Sequence, residues 1–219
     1  MGIFQNHNNI QNSINNRTTQ IGFANNAPIN KSTKIKIENV LFEYVHLAEP
    51  HAFSQNEPLK YSVTLLIPKH NNYAGILQKV RNAISETYNI ACQNIWENIT
   101  QLPNLQTLES KILRDGDTTN NQTYHGYYYI KATRDTKRLV TAIDNNNQAI
   151  KNEQQTLQYL SQIQNGDWGI AYLAIKGYGN DNYQGISIFL DAIRKTHNKA
   201  ANYSSTAINP YSFNPSDYL

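Results

Sequence analysis

The chain has 219 residues, enough for one well-buried domain with appendages. Its 19 Lys and Arg against 16 Asp and Glu give a net charge of +3, which excludes a histone-like polyanion binder but allows binding through a local basic patch. The single cysteine, Cys92, excludes an internal disulfide and a cysteine-rich metal site, and it is typical of a reducing cytoplasm.

The two ends of the chain are predicted to be flexible. Residues 1–30 contain nine Asn and one charged side chain, Arg17, and such a tract buries too little apolar surface to offset the entropy lost on ordering. The tail from Thr196 holds only Lys199 and Asp217 as charges. We therefore expect a flexible arm at 1–31, a folded domain at 32–195 and a flexible tail at 196–219.

The folded domain is predicted to begin with two strands. Apolar and polar residues alternate from Lys34, and the apolar character continues to Val45, which indicates a long first strand. Alternate residues from Tyr61 form the inward set of a second strand, and Pro68 closes it.

A long helix follows these strands. From Asn71 to about Thr100, apolar residues recur every three or four positions, which predicts an amphipathic helix of about seven turns. Cys92 and Trp96 lie in or beside its apolar stripe, where packing is their expected role. A polar loop over 104–110 then leads to the Arg-Asp-Gly-Asp sequence at 114–117.

Two later strands, over 124–133 and 168–179, are each apolar on one face and aromatic plus basic on the other. Side chains alternate across a strand, so the rings and cations of each strand share a face. These faces contain Tyr127, Tyr129 and Lys131 in the first strand, and Trp168, Tyr172, Lys176 and Tyr178 in the second. Such a face suits unpaired nucleic-acid bases, which stack on rings while Lys and Arg neutralise phosphates.

The remaining elements decide the fold class. A short strand is predicted over 138–144, a turn at Asn165-Gly166-Asp167 and a last strand over 183–191. Five or six strands with one long helix, without strand–helix alternation, exclude a doubly wound parallel sheet. The predicted fold is mainly β with one long helix (α+β), an OB-fold-like antiparallel β-barrel, a fold that presents an outer sheet face to single strands.

With these motifs in place, the chain resembles the family of single-stranded DNA-binding proteins of tailed phages, which are OB-fold proteins. The resemblance covers roughly residues 32–195. Its most specific part is Leu113-Arg-Asp-Gly-Asp117 followed closely by Gly126-Tyr-Tyr-Tyr-Ile-Lys-Ala132. The block opens with Lys111-Ile112 where the family usually has Pro-Leu, and the chain ends in Pro215-Ser-Asp-Tyr-Leu219 rather than in the acidic tail with which such proteins often recruit replication partners.

The resemblance implies coating of single-stranded DNA without sequence specificity during phage replication or recombination, in the cytoplasm of the bacterial host. It implies no catalysis, cofactor or metal. Single-stranded DNA is the expected partner, and a homo-oligomer on DNA and phage or host replication proteins are further expectations. The expected DNA-binding residues are Arg114, Tyr127, Tyr129, Lys131, Arg134, Trp168, Tyr172, Lys176 and Tyr178.

A membrane partner and secretion are not expected. No apolar run approaches the roughly 20 residues of a membrane-spanning helix. The start of the chain has Asn and Gln where a signal peptide would have a basic segment and an apolar stretch.

Two other functions fit parts of the sequence. Tyr and Trp are also enriched at protein interfaces, so the aromatic face of a structural or virion-associated protein would look similar. A metal-dependent nuclease would use Asp115 and Asp117 to hold a divalent ion, although Asp-Gly-Asp is also what a tight turn prefers, with Arg114 paired to a carboxylate or reaching a phosphate. The spacing of the six His residues does not indicate a zinc site, and no nucleophile motif is present.

Overall fold

The computed structural model describes residues 32–180 and 183–199. The predicted arm at 1–31 and most of the predicted tail lie outside the described residues. The elements, in chain order, are β1 Thr33–His51, β2 Lys60–Pro68, α1 Ala74–Asn94, α2 Leu105–Ile112, β3 Arg114–Asp115, β4 Tyr127–Asp135, β5 Thr141–Ala142, α3 Glu153–Ser161, β6 Trp168–Asn180 and β7 Tyr183–His197.

The strands form a closed barrel. They are hydrogen-bonded in the order β3-β4-β2-β1-β6-β7-β5, and an additional pairing joins β4 to β7. That pairing closes a five-stranded barrel, in which the strands follow one another in the order β1, β2, β4, β7 and β6. Thr133 of β4 lies opposite Phe189 of β7. The predicted OB-fold-like barrel with one long helix is therefore confirmed. The β4–β7 pairing is parallel, so the barrel is mixed rather than wholly antiparallel as predicted.

The core fills the barrel and extends beneath the long helix. Side chains such as Val40, Leu65 and Ile130 inside the barrel have no exposed surface. Helix α1 lies against β1 and β6. A Cβ at Gly177 of β6 would come within 2.5 Å of the Cβ of Ala91, so this glycine lets the helix approach the sheet closely.

Helix α1 is shorter than predicted, and the described residues form two further α-helices, α2 and α3. It ends at Asn94, and the chain then turns so that the indole of Trp96 is buried and donates from Nε1 to the carbonyl of Tyr178 at 3.1 Å. The predicted loop over 104–110 contains α2, because the Asn104 side chain accepts the Thr107 N–H at 3.0 Å and caps a helix there. No described helix is long and apolar enough to cross a membrane.

The later elements differ from the prediction in their ends. The strand predicted over 138–144 is reduced to Thr141–Ala142, followed by a tight turn closed by the Asp144 carboxylate. Helix α3 begins at Glu153, where the sequence analysis assigns no element, and Asn152 caps it. Strand β7 continues to His197, two residues into the predicted tail.

Candidate functional site

A cluster of three tyrosines lies on the outer surface where β1, β4 and the chain before β4 meet. The rings of Tyr124 and Tyr129 are stacked, with centroids 4.3 Å apart and planes 10° apart, and Tyr44 lies 5.8 Å from Tyr124. Tyr44 is 40% exposed, whereas Tyr124 and Tyr129 expose only 7% and 6%. The amide of Asn121 donates to the Tyr44 hydroxyl at 2.6 Å, which fixes the exposed ring. Tyr44 is therefore the ring open to a ligand, and the other two support it.

Two exposed cations flank this tyrosine cluster. The guanidinium carbon of Arg114 lies 5.9 Å from the centre of the Tyr129 ring, and its Nε donates to the carbonyl of Lys111 at 2.8 Å. Lys131 stands two residues along β4 from Tyr129 on the same face. Partial burial lowers the pKa of Lys131, and the positive charge of Arg114 lowers it further. The two cations thus share one local field, which would attract a phosphate.

A second ring group, formed by His46, His51 and Phe53, borders Lys131. The imidazoles of His46 and His51 are stacked with centroids 4.5 Å apart, and Phe53 meets His51 edge-on at 5.9 Å. The ammonium of Lys131 lies 5.9 Å from the centre of the Phe53 ring, which is 49% exposed. Burial and the neighbouring His51 lower the pKa of His46.

A third group covers the outer face of β6 and β7. The ammonium of Lys176 lies 5.8 Å from the centre of the Phe189 ring. Tyr178 and Tyr183 have ring centroids 5.5 Å apart and hydroxyl oxygens 3.3 Å apart, and Tyr183 is 64% exposed. Tyr172 lies further along β6, half-buried beside Lys36 of β1.

The barrel closure makes these groups one continuous surface. Thr133 and Phe189 are bridged across the parallel β4–β7 pairing, and Lys131 and Ser187 each lie two residues before that pair. Ser187 is in turn opposite Lys176 on β6. Lys131 and Lys176 therefore stand on the same outer face, on either side of the seam where the barrel closes. We call this surface, from Tyr44 to Tyr183, the outer ring face.

Three of the expected contact residues lie elsewhere. Tyr127 has no exposed surface, so a base could not stack on it, and the expected stacking role does not fit its position. Burial raises the pKa of its hydroxyl far above the ordinary value. Trp168 exposes only 5% of its surface at the start of β6, where it lies between Leu41 of β1 and His197 of β7.

Arg134 is occupied within the barrel. Its side chain is 11% exposed, and Nη1 donates to the carbonyls of Leu190 and Asp191 at 2.8 and 3.3 Å. Arg134 therefore links β4 to β7 by hydrogen bonds next to the bridged pair Thr133 and Phe189. The expected phosphate contact therefore does not fit its position, because its hydrogen-bonding group is directed at the backbone of β7.

The two carboxylates of the Arg-Asp-Gly-Asp block connect it to Lys69 after β2 and to Gly126 before β4, and we call this connection the joint. Lys69 pairs with both Asp115 and Asp117, the latter at 2.6 Å, and Asp117 accepts the Gly126 N–H at 2.6 Å. The hydrogen bonds from Lys69 and from this N–H lower the pKa of Asp117. A Cβ at Gly116 would lie 1.9 Å from the Tyr124 carbonyl oxygen.

This joint corrects two expectations. The partner of the two carboxylates is Lys69 rather than Arg114, and its ammonium occupies the space that a shared metal ion would need. Among the described residues, no group of three or more His, Cys, Asp or Glu side chains could hold a metal. The block instead holds Arg114 and Tyr124 beside Tyr129. The nuclease hypothesis needs Asp115 and Asp117 as metal ligands, and these two carboxylates are paired with Lys69.

Residues 33–210 match the family model described as Enterobacter phage Enc34, ssDNA-binding protein. "Putative protein p50" of Acyrthosiphon pisum secondary endosymbiont phage 1 is 32% identical over 116 residues, which are 52% of this chain and 59% of that protein. The match thus spans less than two thirds of this curated relative.

Two solved structures share the fold. The single-stranded DNA-binding protein from bacteriophage Enc34, in a C-terminal truncation, superposes with a TM-score of 0.56 at 20% identity, covering 77% of this chain and 87% of that one. The same protein in complex with ssDNA gives 0.55 at 19% identity, covering 77% and 88%. At these identities the likeness concerns the fold.

Proposed function

The chain belongs to the Enc34 family of phage single-stranded DNA-binding proteins, and from this premise we propose that it binds single-stranded DNA on its outer ring face. The function is binding rather than catalysis, in keeping with a family of DNA-binding proteins. This agrees with the function predicted from the sequence.

The observation that carries the location of the site is that exposed rings and accessible cations lie together on both sides of the seam. OB-folds bind oligonucleotides on the outer face of their second and third strands and with the loops that join strands 1 to 2 and 4 to 5. Here the second and third barrel strands are β2 and β4, and Lys131 stands on that face. Phe53 lies in the first of those loops, and Tyr178 and Tyr183 flank the second.

The roles follow from exposure. Tyr44, Phe53 and Tyr183 are at least 40% exposed and offer ring surface to bases. Lys131, Lys176 and Arg114 lie beside rings and neutralise phosphates. Every base has a flat face, so stacking gives affinity that tolerates any sequence. Tyr129 and Tyr178 support the exposed groups beside them, Arg114 and Tyr183. Tyr172 stays a proposed contact further along β6.

The biological setting is part of the proposal. The protein coats single strands exposed during phage replication or recombination, in the cytoplasm of the bacterial host. Coating brings neighbouring copies into contact, and phage or host replication proteins are the further partners of such a complex. Family membership supports this setting.

Binding is tested by fluorescence anisotropy with a labelled poly-dT oligonucleotide over a salt series. Three phosphate-binding cations give a slope of log affinity against log salt of about −2 on a single strand. A duplex and an RNA of equal length serve as comparisons. Absence of binding at low salt would overturn the proposal, and the outer ring face would then be a protein interface.

A further inference from the structure

We propose that a basic pocket away from the outer ring face binds an acidic segment of a partner protein that also carries an apolar side chain. The pocket lies between the loop that follows β4, strand β5 and the start of α3, and its volume is about 340 Å³. This size is at the lower end of the range for ligand pockets, sufficient for one or two side chains. The inference does not depend on the proposed DNA binding.

The floor of the pocket is apolar and held in place. Val140 is fully buried, and Leu139 and Ile150 are half-buried. The N–H of Ile150 donates to the carbonyl of Ala142 at 2.9 Å, and the Thr156 hydroxyl donates to the carbonyl of Ile150 at 3.1 Å. These bonds join the wall from α3 to β5, so the cavity exists before any ligand arrives, which reduces the entropy lost on binding.

The rim of the pocket is basic. Its described lining residues include three exposed cations, Lys137, Arg138 and Lys151, and one carboxylate, Glu153. None of these three cations takes part in an ion pair within the described part of the chain. Three cations against one carboxylate around an apolar floor leave a net positive rim, which is complementary to carboxylates that flank an apolar side chain.

The lining distinguishes a peptide from a nucleic acid. Sites for single strands combine cations with rings on which bases stack. None of the described residues that line this pocket is aromatic, and its aliphatic floor offers no flat ring. The chemistry therefore favours an acidic peptide over a continuation of the DNA path.

The test uses the full chain and a fluorescent peptide of consecutive aspartates that ends in Leu-Phe. One control peptide has Asn for Asp, and another has Ser for Leu and Phe. The pocket variant is Arg138→Ala with Lys151→Ala. Its matched control, Lys79→Ala with Lys199→Ala, removes the same charge from exposed residues outside the pocket. Each protein is titrated against the peptides and against poly-dT.

We expect saturable binding of the acidic peptide, weakened about tenfold in the pocket variant because two solvent-exposed ion pairs are lost. The matched control variant should keep its affinity, both control peptides should bind more weakly, and saturating poly-dT should not displace the peptide. The proposal is overturned by absence of saturable binding, by equal losses in the two variants, or by displacement of the peptide by poly-dT. A loss of DNA affinity confined to the pocket variant would likewise assign the pocket to DNA.

Discussion

At the scale of single residues, rings and cations come in pairs on the outer ring face. Lys131 lies over Phe53, Lys176 over Phe189 and Arg114 over Tyr129. Each pair places a positive charge about 6 Å from the centre of a ring. Phe53 and Phe189 are exposed, so at these two pairs a nucleotide can stack its base and meet a cation with its phosphate at one place, whereas Arg114 lies beside the buried Tyr129 and next to the exposed Tyr44. The cations are thus as informative as the rings, and they are simpler to test.

Reversing the charge of Lys131 and Lys176 should abolish DNA binding at moderate salt. The double variant Lys131→Glu with Lys176→Glu replaces two attractive contacts with repulsive ones, and we expect affinity for poly-dT to fall at least about a hundredfold. Anisotropy measures this directly. The matched variant Lys79→Glu with Lys199→Glu carries the same net charge and should lose much less.

The same pair of variants separates DNA binding from the structural alternative. A protein interface based on ring contacts would weaken only moderately on charge reversal. Equal loss of DNA affinity in both double variants would indicate that only net charge matters, and the assigned contacts would be wrong.

Glu43 gives a prediction about pH. Its carboxyl group is buried below the tyrosine cluster with Oε1 unpartnered, and burial raises its pKa from 4.5 to about 7, against an opposing backbone hydrogen bond from Tyr44. The protonated form is therefore favoured by folding. The resulting stability is fully present below about pH 4.5 and is lost as the pH rises through about 7.

The variant Glu43→Gln should remove this dependence, because the amide is neutral at every pH. Between about pH 4.5 and about 7, the wild type should lose up to about 3 kcal/mol of unfolding free energy more than the variant does. Urea unfolding of both proteins across this range measures the difference. Parallel curves would mean that Glu43 ionises in the folded protein as it does in the unfolded chain.

At the scale of elements, the Arg-Asp-Gly-Asp block acts as a joint between β2, β3 and β4. Lys69 follows β2, Asp115 ends β3, and Asp117 accepts the Gly126 N–H just before β4. The backbone at Gly116 passes so close to Tyr124 that only glycine fits. The joint therefore determines where the tyrosine cluster stands.

Gly116→Ala should destabilise the protein and disturb the tyrosine cluster. The added Cβ would lie 1.9 Å from the Tyr124 carbonyl oxygen and 2.6 Å from that of Tyr127, and relieving this overlap costs about 2 kcal/mol or more. Gly75→Ala is the control, since a Cβ there meets nothing within 4 Å and alanine favours a helix by up to about 1 kcal/mol. Urea unfolding should move the two variants in opposite directions. Unchanged stability of Gly116→Ala would show that the loop yields freely.

The sequence predicted what depends on local alternation. The apolar face of each strand must be buried, so the faces of Tyr129, Lys131 and Lys176 followed from spacing alone. Alternation does not show what covers a face, and for that reason the expected contacts include Tyr127, Tyr129 and Trp168, which the structure buries. The sequence also predicts the barrel and the family correctly, because both depend on the order of motifs along the chain.

The parts that were missed depend on irregular backbone or on distant partners. Register shifts in β1 lie on both sides of His46, and Tyr44 has a φ of 49°, so spacing could not assign these rings to a face. Phe53 lies in a loop, where no period applies. The partner of Asp115 is 46 residues away at Lys69, and local sequence carries no signal for it.

At the scale of the whole molecule, one seam decides whether the site is continuous. Strands β4 and β7 meet at a single bridged pair, Thr133 and Phe189, and Arg134 reinforces it with bonds to the β7 backbone. If the seam were open, Lys131 and Lys176 would belong to separate edges. Because it is closed, one strand of DNA can contact both.

A continuous face predicts a step in affinity with oligonucleotide length. A dT oligomer too short to reach both lysines binds either half alone, whereas one that spans the seam joins two contacts in a single molecule and gains through effective concentration. Lys176→Glu should remove the step, while short oligomers still bind beside Lys131. Lys79→Glu should keep it. If affinity instead rises smoothly with length, and equally in the wild type and in Lys176→Glu, then the strand leaves the barrel before it crosses the seam, and the site is confined to β2, β4 and the Phe53 loop.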